Sequence, residues 1–163
     1  MDTTTTAPTT PSTPEAAAPP LTWADVVERS RDLGGGAYLA TVGADGRPHV
    51  AWVALGDRDG SLWFSTFRSS QKGVNLRTTP EVALAWPERA DCLMFGRGVP
   101  RLVDLGPESD ALWDSDVLGY DPTPFFGSKD NPELLFVEVR PTRVSVGSLL
   151  APDDPPRVWT PGS

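Results

Sequence analysis

From residue 34 onward the sequence breaks every few residues at glycine, proline or aspartate. Only short β-type runs are left between turns, and this rhythm constrains the fold more than any other feature. Runs at 38–42 and 49–55 flank Gly43-Ala44-Asp45-Gly46, which is hairpin chemistry. Gly56-Asp57-Arg58-Asp59-Gly60 then links Leu55 to a strand at 62–66. Further strands fall at 82–86 and 93–105, the second bent near Gly96, Gly98 and Pro100, and the pattern ends with strands at 134–139 and 144–148. Helical spacing is confined to three places. At 22–33, Thr22 and Asp25 stand as a capping box ahead of Trp23, Val26, Val27 and Ser30, and Gly34-Gly35-Gly36 stops the helix. A short helix at 70–77 ends before Pro80, and 109–118 is moderately helical. Many short strands and few helices predict a mainly β fold, a small antiparallel barrel with the first helix over one end.

At 163 residues the chain is expected to form one domain over 21–150, small for a barrel that must enclose a deep pocket unaided. Residues of a second protomer are therefore expected to close any site. The net charge of −8 opposes contact with a phosphate backbone, so nucleic acid is not an expected partner. One cysteine, Cys92, leaves no intramolecular disulfide and no cysteine-cluster metal site, and one histidine, His49, leaves no multi-histidine site within a chain. The Thr/Pro/Ala-rich segment 1–20 has no basic start and no apolar run, so a disordered tail and a cytoplasmic location are expected. No apolar stretch approaches the roughly 20 residues of a membrane helix. The Pro/Asp-rich tail 151–163 is expected to be loosely attached, with Trp159 as an anchor.

The stretch 62–84, LWFSTFRSSQKGVNLRTTPEVAL, reads as strand, turn, short helix and strand in immediate succession. That order gathers Thr66, Ser69, Ser70 and Lys72 around one helix N-terminus, where free backbone N–H groups, hydroxyls and an ammonium make a seat for a phosphate. Thr66 and Ser70 also serve as a strand end and an N-cap without any ligand, and an exposed lysine is commonplace. A cation in the first helical turn, however, opposes the helix dipole unless an anion lies nearby.

The spacing T-x-x-x-S-x-K followed by N-L-R-x-x-P-x-V-A-L (Thr66, Ser70, Lys72, Asn75, Leu76, Arg77, Pro80, Val82, Ala83, Leu84) resembles the flavin-phosphate segment of the pyridoxamine 5′-phosphate oxidase-like split-barrel family. The likeness extends to AYLATVGADGRP at 37–48 and, in the manner of the general-stress-protein branch, to PTPFFGSKDNPELLFVEVRPTRVSV at 122–146. The resemblance implies a split β-barrel of the FMN-binding type, a homodimer with two cofactor sites at the interface, and flavin-dependent redox chemistry on a small molecule. It implies phosphate contacts from Thr66, Ser69, Ser70, Gln71 and Lys72, with Val50, Ala51, Trp52 and Val53 along the isoalloxazine ring. Gln71 stands where many members carry an arginine. The family's basic positions on the second strand fall at Ala51 and Gly56, its fifth-strand glutamine falls near Asp91, and the C-terminal substrate-binding arginine and histidine motif is missing. Oxidation of vitamin B6 is therefore not the expected activity. A deazaflavin-dependent reductase and a flavin-binding stress protein with little turnover are the alternatives, and a heme-binding role would have His49 as its only axial histidine.

No catalytic side chain is assigned. His49 follows a turn proline and is expected on the strand surface rather than as a general acid, and Cys92 is expected to be a buried small side chain. The acidic run Glu108, Asp110, Asp114 and Asp116 has no histidine in pattern and reads as a solvated helix face, so no metal is expected. Trp86, Trp113, Phe125 and Phe126 are read as a roof over a planar cofactor or a dimer contact, against the default of core packing.

Overall fold

The structure is a computed structural model and describes residues 19–162. Apart from its last two residues, the segment expected to be disordered lies outside these. Helix α1 (Trp23–Asp32) starts at the predicted capping box, with Thr22 and Asp25 bonding reciprocally, and Gly34 and Gly35 turn the chain at φ 97° and 66°. The predicted hairpin follows as β1 (Gly36–Val42) and β2 (Pro48–Ala54), in register from Gly36↔Ala54 to Val42↔Pro48. The link 56–60 proves to be a second hairpin. Strand β3 (Gly56–Arg58) pairs with β4 (Ser61–Phe67) across Asp59 and Gly60, whose φ values of 53° and 78° are those of a type I′ turn.

Next come α2 (Gln71–Asn75), β5 (Val82–Ala85) and β6 (Leu93–Val103), with the bend in β6 appearing as a bulge between Arg97 and Gly98. Helix α3 (Pro107–Trp113) is shorter than the predicted 109–118, and a small helix α4 (Thr123–Phe126) was not predicted. The two last strands are one, β7 (Leu134–Gly147). Pro141 does not interrupt it because it faces Gly98, where the bulge already breaks the ladder and no N–H donor is required. The C-terminal tail is held more firmly than expected, since β8 (Arg157–Trp159) pairs with β7, and Trp159 is buried at 4.9 Å from the ring of Trp23.

Strand order is β2-β1-β5-β6-β7-β4-β3, antiparallel at every pairing, with β8 added to β7. The sheet curls into the expected split barrel. Its interior packs Leu39, Phe64, Leu84, Met94, Val137 and Val144, with Leu21, Val26 and Leu33 from the α1 region joining the same core. A second core lies under α3 and α4, where Trp63, Leu112, Phe126 and Phe136 meet, so that β7 is buried on both faces at 134–137. Among the described residues no helix is long and apolar enough to cross a membrane.

Candidate cofactor site

Helix α2 sits where β4 ends, packed against β1, β2 and β4, and so joins the two halves of the curled sheet. Its placement depends on Gly73. A Cβ there would lie 2.4 Å from the Phe67 carbonyl oxygen, so any larger residue would push the helix off the strand end. At this distance the Ser70 hydroxyl caps the helix by accepting from the Gly73 amide at 3.1 Å, donates to the Phe67 carbonyl at 2.7 Å, and lies 3.1 Å from the Thr66 hydroxyl. Thr66 is 3% exposed, so this hydroxyl pair is built into the fold. The other end of α2 is fixed by a buried polar chain that the sequence did not reveal. Gln71 Nε2 donates to Asn75 Oδ1 at 2.8 Å, Asn75 Nδ2 donates to Thr41 Oγ1 at 3.0 Å, and Thr79 Oγ1 donates to the Asn75 and Val42 carbonyls.

Lys72 projects from the first turn of α2. It is half-buried, forms no side-chain hydrogen bond or ion pair among the described residues, and burial pushes its ammonium below the ordinary lysine range. A desolvated cation without a counter-ion is costly, and two positions after the Ser70 cap it suits a phosphate or similar anion. Ser69 contributes less than its position suggests, because its amide already donates to Glu133 Oε2 at 2.9 Å. Hydrogen bonds from Ser69 hold the Glu133 carboxyl below its usual range. Arg68, next in line, is also committed, to Asp104 and to the Pro132 and Leu134 carbonyls. Lys72 is thus the cation left for a ligand on this turn.

Along β2 the predicted ring-facing residues divide by alternation. Val53 is buried and Ala51 half-buried toward the barrel, whereas Val50 and Trp52 are 58% and 51% exposed on the outer face. Trp52 lies opposite Tyr38, itself 49% exposed, and Val50 lies opposite Ala40. The outer edge of β2 pairs with no described strand, so its backbone groups are available to a flat polar ring edge. These exposed aromatics are not the four that the sequence suggested as a roof or dimer contact. Trp86 is in the barrel core, donating its indole N–H to Ser30 at 2.8 Å, and Phe126 is buried in the second core. Trp113 packs beside that second core, and only Phe125 stands exposed, at 61%. His49 is half-buried on β2 opposite Thr41, and Cys92 is buried, which pushes its thiol up. In the acidic run, Lys129 lies 3.8 Å from both Asp110 and Asp114, and Glu108 pairs with Arg101.

Known proteins share this fold. The curated pyridoxine/pyridoxamine 5′-phosphate oxidase of Acinetobacter baumannii is 34% identical over 107 residues, 60% of this chain and 47% of that protein, so the match spans about half the length of the relative. Among solved structures, a general stress protein 26-related protein from Clostridium acetobutylicum superposes with a TM-score of 0.64 at 14% identity, covering 82% of this chain and 93% of that one. A pyridoxamine 5′-phosphate oxidase-related, FMN-binding protein from Nostoc punctiforme gives 0.57 at 21% identity, covering 78% and 82%. A heme-binding protein from Mycobacterium smegmatis gives 0.64 at 18%, covering 88% and 60%. The sequence model of the pyridoxamine 5′-phosphate oxidase family matches residues 36–146, which run from the first residue of β1 nearly to the end of β7 and contain the whole α2 turn. The chain belongs to the pyridoxamine 5′-phosphate oxidase family.

Proposed function

We propose that this protein binds FMN, with the phosphate held by Thr66, Ser70, Gln71 and Lys72 and the ring lying along Val50 to Val53 of β2, and that it acts as a flavin-dependent oxidoreductase on a small molecule. The carrying observation is the half-buried Lys72 ammonium, which has no side-chain partner among the described residues and follows the Thr66-bonded Ser70 cap by two positions, on a helix packed against β2. The flavin supplies the hydride chemistry when bound, while this chain binds and orients it and shapes the electrostatics around it. That division of labour is consistent with a site that shows no catalytic triad. FMN is favoured over a deazaflavin because the one cation left uncommitted on this turn among the described residues suits a single phosphate better than a longer acidic tail. The reading places the protein in the cytoplasm, where reduced nicotinamide donors are found.

We further propose a two-fold dimer formed through the outer face of β1 and β2. Tyr38, Val50 and Trp52 expose a contiguous apolar patch there, and a second copy would cover it while closing the flavin seat. The absorbance spectrum of the purified protein, with mass analysis of the released cofactor, tests the cofactor. A flavin spectrum and the mass of FMN are expected, whereas a deazaflavin or a Soret band overturns the reading. Oxidation of NADPH or NADH in the presence of FMN then separates an enzyme from a binding protein.

A further inference from the structure

Gln71 is exposed at the first position of α2, yet its side chain is tied down. Its Nε2 donates to Asn75 Oδ1 at 2.8 Å, and Asn75 Nδ2 donates in turn to Thr41 Oγ1 at 3.0 Å. Asn75 and Thr41 are 2% and 1% exposed, so an exposed amide hangs from two buried groups that belong to different elements. Asn75 is itself held on several sides. Its backbone carbonyl accepts from Thr79 Oγ1 at 2.9 Å, and a Cβ on Gly43 would come within 3.3 Å of its Oδ1. The buried amide is therefore the fixed partner, and Gln71 follows it. Ordering a surface glutamine costs up to about 2 kcal/mol of side-chain entropy, and one hydrogen bond returns only about 1 kcal/mol. Stability alone gives little reason for the tether. A primary amide carries two N–H donors and an acceptor oxygen, so the bond to Asn75 leaves one N–H and Oε1 of Gln71 for a ligand.

We propose that Asn75 is a positioning residue: backed by Thr41, it holds the Gln71 amide in the orientation that bonds the FMN phosphate, and so sets the preference of the site for a phosphorylated flavin. The inference rests on the FMN reading above and adds to it. A neutral amide next to the Lys72 position makes a modest phosphate contact unless it is already aimed, because an unfixed Gln71 would lose its side-chain freedom only on binding. The tether also ends on a fitting element. Thr41 lies on β1 directly opposite His49, one residue before the Val50 to Val53 run of β2, so the Gln71 contact is referenced to the hairpin that carries the proposed ring contacts. The spacing between phosphate and ring contacts is then built into the fold rather than left to a five-residue helix.

Fluorescence-quenching titrations of the apo full-length chain with FMN and with riboflavin, run across a double-mutant cycle, test the role. The ratio of the two affinities isolates the phosphate contacts. Gln71→Ala is expected to lower that ratio about tenfold, the value of a hydrogen bond to a charged group, and Asn75→Ala about fivefold, with riboflavin affinity changed less than about twofold in each. The double variant should lose no more than Gln71→Ala alone, since Asn75 acts only through Gln71. Thr41→Val breaks the same chain one link further back and should move the ratio in the same direction; it takes the place of Asn75→Ala in the cycle if circular dichroism shows that variant to be unfolded. Losses that multiply in the double variant, or equal loss of FMN and riboflavin in Asn75→Ala, overturn the positioning role and leave the FMN reading standing. An unaltered protein with no preference for FMN over riboflavin overturns both.

Discussion

Lys72 is an ammonium that burial disfavours and that no described acidic group relieves, so its removal should affect ligand and fold differently. Lys72→Ala is expected to weaken FMN by more than about tenfold, in line with roughly 1.5–3 kcal/mol for a hydrogen bond to a charged group. The melting temperature of the cofactor-free protein should change little, because the substitution removes no side-chain hydrogen bond or ion pair among the described residues; calorimetry of the apo variant checks this. Thr66, Ser70 and Lys72 were legible in the sequence because capping is local, with the hydroxyl, the amide it caps and the lysine all within one turn of chain. The residues that set their surroundings were not. Glu133 reaches the Ser69 amide from 64 positions away, and Thr41 meets Asn75 across 34, contacts that only the closed sheet creates.

At the scale of elements, the site depends on how closely α2 approaches the end of β4. Gly73→Ala sets a Cβ against the Phe67 carbonyl oxygen, which belongs to the backbone and cannot swing away. A destabilisation of about 1–3 kcal/mol is expected in urea unfolding, together with weaker FMN binding, as the Ser70 cap moves off Thr66. The C-terminal strand makes a second test. Trp159 is 8% exposed and packs at a tilt against Trp23, so Trp159→Ala should cost about 3 kcal/mol, seen as a lower melting temperature. A truly loose tail would show no change. The capping box, the first hairpin, the short helix before Pro80 and the bend in β6 were readable because each has a turn or cap signature. Strand β3 was passed over because three residues carry no period, leaving Asp59-Gly60 as the only cue. Strand β7 was split in two at Pro141 because the sequence does not show that the partner strand bulges at that point.

For the whole molecule, a buried carboxylate joins three strands. Burial pushes the Glu138 carboxyl up, but hydrogen bonds from Arg140 on the same strand, Arg101 on β6 and Ser61 on β4 outweigh it and leave it at about 2. A depressed folded-state value means that this stabilisation is present above the ordinary value of 4.5 and is lost as the pH falls toward about 2. Chemical denaturation between pH 6 and 2 should show that acid loss, and Glu138→Gln should flatten it while lowering stability at neutral pH. Assembly belongs to the same scale. Of the aromatics read as a cofactor roof or dimer contact, Trp86 and Phe126 are buried in the two cores, because a tryptophan such as Trp86 carries no mark of which side of a barrel it faces until the register is known. If FMN and the β1–β2 contact share a site, Trp52→Glu should yield monomers and weaken FMN together, and light scattering across a dilution series tests that linkage.

Riboflavin, the same ring without the phosphate, isolates the proposed hold of the α2 turn on the phosphate of FMN. Fluorescence-quenching titrations of the apo protein with each compound should give at least about tenfold tighter binding of FMN, a preference that Lys72→Ala largely abolishes. Equal affinity for the two in the unaltered protein, or a preference for FMN that survives Lys72→Ala intact, would contradict it.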